Sequence, residues 1–257
     1  FSGQAAQNVR YSEVTYTPYS QFKATGIPFD EQVDALNRAR TWAERALNVS
    51  AGWVFDISRN TLPKEGEIVA GWAVSAMQKG CVALGLGGPE VGHPPEDFTR
   101  AFEIAHAAGL PSVPHAGETE GPASIWGSLK ALRAVRIGHG VRCLEDPALV
   151  EYLRENQVPL EVCPTSNICL KVFPDYASHP LPRLMAEGLV VTLNTDDPPL
   201  FNTTLVGEYQ KAAVTFGLSA MQIENLTFTA LNVSLMPEST KAELREEFET
   251  EFQQLKE

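Results

Sequence analysis

Positive charge is scarce in this chain of 257 residues: 20 Lys and Arg stand against 32 Asp and Glu, a formal net charge of -12. A broad surface for nucleic-acid phosphates needs clustered basic residues, so that class of function is excluded. Acidity alone also serves solubility, so it does not specify a ligand. Cysteine is sparse as well, and Cys81, Cys143, Cys163 and Cys169 form no CxxC pair. Their scatter argues against a disulfide frame or a structural zinc cluster and for reduced thiols in a cytoplasmic protein. No apolar run approaches the roughly 18 residues of a membrane span, and the opening FSGQAAQNVR has no apolar signal-peptide core.

What is present is alternation. β-rich runs recur at 9–16, 51–58, 81–88, 111–118, 136–140, 159–167 and 189–196, about seven in all. Between them, segments 30–48, 65–79, 95–108, 124–132, 147–156 and 179–187 carry apolar residues at three- and four-residue intervals. Prolines mark starts at Pro95 and Pro147, and glycines mark stops at Gly80, Gly109 and Gly188. Strand and helix in strict alternation predict a parallel sheet covered by helices.

An open doubly wound sheet and a barrel of about eight strands both satisfy that pattern. The open sheet usually carries a glycine-rich phosphate turn after its first strand, and here the first strand runs into TPYSQF. A barrel instead gathers polar residues at the C-terminal ends of many strands. Those ends read DISR at 56–59, GGPE at 87–90, HAGE at 115–118, His139, TSN at 165–167 and NTDD at 194–197. The expectation is therefore a single α/β domain over 1–257, a TIM (β/α)8 barrel. With about seven strands counted, the first strand is expected to be missing and the domain N-terminally incomplete.

Three strand ends carry the chemistry. His115 and Glu118, separated by Ala-Gly, can aim an imidazole and a carboxyl at one pocket; each alone also fits a core histidine or a solvent-facing helix carboxylate. His139 lies between glycines after an apolar strand. Asp196 and Asp197 sit side by side before Pro198 and Pro199. In a regular strand they would face opposite sides, so the strand is expected to end before them. A metal ion would offset one of the two charges, and imidazole with carboxylate is a ligand set for zinc. Convergence of these ends in one barrel favours a metallohydrolase.

The combination VPHAGE at 113–118, RIGHG at 136–140, LEVCPTSN at 160–167 and LNTDDPP at 193–199, with VRYSEVTYTP at 9–18, resembles the adenosine deaminase family over essentially the whole chain. By this resemblance His115 and Asp196 bind a catalytic zinc ion, one per chain in the complete protein, and Glu118 passes a proton to purine N1. His139 orients and helps activate the attacking water. Asp197 forms a hydrogen bond at N7, the backbone of Gly88 meets the ring near N3, and Ser166 lies near the site. The implied activity is zinc-dependent hydrolytic deamination of a 6-aminopurine nucleoside to the 6-oxo product and ammonia. GLGGPEVG and HAGETEGPASIW look most like a bacterial subgroup acting on adenosine-like nucleosides, including 6-amino-6-deoxyfutalosine, with adenosine the close competitor and free adenine behind them. The family's first-strand His-x-His pair, which supplies two further zinc ligands, does not occur in these 257 residues. A catalytically inactive purine-nucleoside-binding homologue is the alternative from another functional class.

Overall fold

The computed structural model describes residues 1–256, and the chain divides into two compact units, Phe1–Gly138 and the segment from His139 on. The division falls inside the fifth strand. All seven expected strands are present: β1 (Tyr11–Tyr16), β2 (Ser50–Ser58), β3 (Cys81–Gly87), β4 (His115–Ala116), β5 (Ile137–His139), β6 (Leu160–Val162) and β7 (Val191–Leu193).

In the N-terminal unit β1, β2 and β3 form a parallel sheet in chain order, with Tyr11 opposite Ser50 and Asp56 opposite Gly85. β2 is buried from Ala51 to Ile57, as expected for a strand covered on both faces. The helix Phe29–Leu47 packs on it through an aromatic cluster. Phe29 stacks on Trp72 at 4.8 Å and meets the edge of Phe55 at 5.5 Å. Trp72 belongs to the helix Pro63–Ser75, which opens on a capping box in which the Glu65 carboxylate accepts the Leu62 N–H at 2.9 Å. Phe55 has no exposed surface. Phe55→Ala is expected to lower unfolding free energy by about 3–5 kcal/mol, read from denaturant unfolding.

In the C-terminal unit β6 and β7 pair in parallel, Leu160 with Val191 and Val162 with Leu193. The helix Pro147–Glu155 starts where expected: Pro147 occupies its first turn and the Asp146 carboxylate accepts the Ala148 N–H at 3.0 Å. The strand expected over 159–167 is much shorter. It ends at Val162, and Pro164–Cys169 is a helix, because Pro164 cannot donate to a ladder but suits a first helical turn. The helices Leu205–Phe216, Ala220–Val233 and Glu238–Lys256 follow the last strand. No helix among the described residues is long and apolar enough to cross a membrane.

Cys81, Cys143 and Cys163 are buried and Cys169 is exposed, all as free thiols. Burial pushes the Cys81 and Cys143 thiols up to about 12, so neither is a nucleophile at neutral pH.

Candidate active site

Each predicted site residue stands at or just beyond the C-terminal end of a strand. His115 opens β4 and Glu118 follows it by two residues; His139 closes β5; Ser166 follows β6; Asp196 and Asp197 follow β7. Gly88 follows β3 with φ of +86°, and a Cβ there would lie 3.3 Å from the Ser58 hydroxyl. Only glycine takes that backbone without strain.

In the N-terminal unit the His115 imidazole lies directly against the backbone of β5. A Cβ on Gly138 would come within 2.6 Å of its Cδ2, so the glycine before His139 makes room for a histidine one strand away. The carbonyl of His115 accepts a hydrogen bond at 2.7 Å from the buried guanidinium of Arg59. Asp56, at the end of β2, is also buried. Its carboxylate fills the space where side chains on Gly85 and Gly87 would stand, since Cβ atoms at either glycine would lie 2.7 Å from its oxygens. Burial pushes the Asp56 carboxyl up to about 6, against the opposing pull of His115 and Arg59.

In the C-terminal unit His139 is almost fully buried, and its Nε2 faces Oδ2 of Asp196 at 3.9 Å. Asp196 has φ of +54° and His139 +61°, left-handed conformations that Asp and His adopt more readily than most residues. The Ser166 hydroxyl donates to Oδ2 of Asp196 at 2.7 Å. Asp197 is exposed and caps the helix Pro198–Phe201, so the prolines start a helix as well as following a strand that has already ended at Leu193.

A polar relay links His179 through Asn167 to His139. The Leu181 N–H donates to Nδ1 of His179 at 3.2 Å, so the proton of neutral His179 sits on Nε2, facing the Asn167 carbonyl oxygen at 3.2 Å. The Asn167 amide nitrogen faces Nδ1 of His139 at 3.4 Å. Burial pushes His179 down to about 4. The unfolded chain therefore binds a proton below its ordinary 6.5 while the fold resists it. Its contribution is complete above pH 6.5 and is lost as pH falls toward 4, up to about 3 kcal/mol. Denaturation across that pH range should show this slope, and His179→Gln should flatten it relative to the parent.

Asp56, Arg59, Glu90, Asn167 and His179 had no assigned role at the level of sequence. Only the alternate glycines of β3, opposite Asp56 and Ser58, signalled that something on β2 needs space.

The adenosine deaminase family model matches residues 1–251. The chain belongs to the adenosine deaminase family. Membership makes it a hydrolytic deaminase by class. It is 41% identical over 248 residues to the aminodeoxyfutalosine deaminase of Streptomyces avermitilis, covering 96% of this chain and 69% of that protein. It is 40% identical over 240 residues to the adenine deaminase of Chelativorans sp., covering 93% and 74%. Among solved structures it matches the adenine deaminase of Arthrobacter aurescens with a TM-score of 0.92 at 31% identity, covering 97% of this chain and 76% of that one. An amidohydrolase from Burkholderia ambifaria with bound zinc matches with a TM-score of 0.93 at 26% identity, covering 99% and 71%. The fold is thus the (β/α) barrel of the amidohydrolases, as the strand-end pattern implies.

Proposed function

We propose that the protein hydrolyses the 6-amino group of a purine nucleoside, such as 6-amino-6-deoxyfutalosine or adenosine, with a divalent metal of the zinc type. The observation that carries this reading is that HAGE, GHG, CPTS and TDDP stand at the ends of four consecutive strands, β4 to β7. His115 and Asp196 are the proposed metal ligands. The donor set suits zinc, and the fit is supported by the Asp196 carboxylate, which Ser166 holds in place while it stays partly exposed. When bound, such an ion lowers the pKa of water toward about 7.

In the proposed reaction Glu118 donates a proton to N1 as water adds to C6, so charge does not accumulate on the ring. His139 orients the water and helps activate it. The backbone at Gly88 and the exposed carboxylate of Asp197 hold the N3 and N7 edges. The proton given up by the added water goes to the amino group, ammonia leaves C6, and the C6 hydroxyl returns a proton to the Glu118 carboxylate, so that the 6-oxopurine remains.

The nucleoside is favoured over the free base by the GLGGPEVG and HAGETEGPASIW segments. Adenine is the second reading, supported by relatives of nearly equal identity that carry that name. Because the chain spans 69% and 64% of its two Streptomyces relatives, the assays belong on the full gene product. With 6-amino-6-deoxyfutalosine, adenosine and adenine run side by side, a nucleoside is expected to exceed adenine by at least about tenfold in kcat/KM. The reverse order would transfer the assignment to the free base.

A further inference from the structure

Glu90 lies two residues beyond the proposed N3-binding glycine and is 4% exposed. Its Oε1 accepts the backbone N–H of Glu118 at 2.8 Å, of Thr119 at 2.8 Å and of Glu120 at 3.5 Å. Its Oε2 accepts the N–H of Gly117 at 2.8 Å and the Ser124 hydroxyl at 2.5 Å. One buried carboxylate thus satisfies every backbone donor from 117 to 120. The buried Arg59 ties the same two segments together from the other side, donating to the carbonyls of His93 at 2.6 Å and His115 at 2.7 Å. Burial works against ionisation of Glu90, but the hydroxyl and backbone donors outweigh it and hold the carboxyl below its usual value.

We propose that Glu90 is a positioning residue that sets the height and direction of the Glu118 carboxyl by gripping the backbone on both sides of it. The proposal rests on the reading of Glu118 as the proton donor. A charged acceptor is needed because several N–H groups converge on one point. A glutamine would turn one of the two oxygens into a donor facing donors. A proton donor displaced by a fraction of an ångström still binds substrate but transfers poorly.

The test is a double-mutant cycle on the full gene product with a 6-aminopurine nucleoside, following kcat, KM, bound metal and thermal midpoint. Glu90→Gln is expected to lower kcat by about 10- to 100-fold, with KM within about threefold and metal content unchanged. In the Glu118→Gln background the same change is expected to cost less than about threefold more, because the group it positions is already disabled. A kcat within about twofold of the parent, or an equal loss in both backgrounds, would overturn the proposal. If Glu90→Gln does not fold, Ser124→Ala loosens the same carboxylate; it is expected to cost about 3- to 10-fold in kcat with the same dependence on Glu118, and an unchanged kcat overturns the proposal. Full activity in Glu118→Gln alone would instead remove the proton donor from the functional reading, and the positioning role with it.

Discussion

Glu118→Gln is expected to lower kcat on a 6-aminopurine nucleoside by about 10²- to 10⁴-fold while KM changes by no more than a few-fold. Glutamine keeps the size of the side chain and can still meet N1 with a hydrogen bond, so ground-state binding survives. It cannot deliver a proton, so the stabilisation lost belongs to the transition state. The fold should not register the change, because Glu90 holds the backbone of residues 117–120 and not the Glu118 side chain. Steady-state kinetics beside a thermal melt separate the two effects. A variant with parental kcat would show that Glu118 is not the acid.

The second large effect belongs to Asp196→Asn. Asparagine tolerates the left-handed backbone at φ of +54° and can still accept from Ser166, so only the charge is removed. In the full gene product, metal content after dialysis should fall from about one ion per chain to below about a tenth, and kcat/KM should drop by about 10³-fold or more. Ser166→Ala leaves the charge and removes only the hydroxyl that orients it. It is expected to weaken metal binding by about 10- to 100-fold. Metal retained at the parental level in Asp196→Asn would strip Asp196 of its role as a ligand.

These residues are visible in sequence for a physical reason. A histidine or aspartate at the end of an apolar run interrupts a strong local pattern, and a barrel gathers such interruptions on one face. The candidates His115, His139, Asp196 and Asp197 stand out for that reason, and all seven strands were legible. The groups that support them were not. Glu90 acts on residues 27 to 30 positions away and Arg59 on a carbonyl 56 positions away, and neither spacing leaves a periodic trace. Asn167 looked like the tail of a strand, yet it lies in the helix begun by Pro164, where it meets His139 and His179. β4 to β7 are only two or three residues long, so the loops and short helices at their ends, which hold the proposed site residues, take over earlier than apolar runs suggest.

Several glycines make space for a neighbouring side chain. Gly138 admits the ring of His115, and Gly85 and Gly87 admit the carboxylate of Asp56. Gly140, beside His139, has φ of +66°, and His139 itself shares that conformation at +61°. The strain thus falls on a residue of the proposed site, a pattern associated with sites whose geometry is held by their surroundings.

The most direct test of hydrolytic deamination follows both products when the full gene product is given a 6-aminopurine nucleoside in water enriched in oxygen-18. The account predicts that each molecule of 6-oxopurine carries one labelled oxygen at C6 and is matched by one molecule of ammonia. A 6-oxo product without the label, or a protein that binds the nucleoside and releases no ammonia, would contradict it.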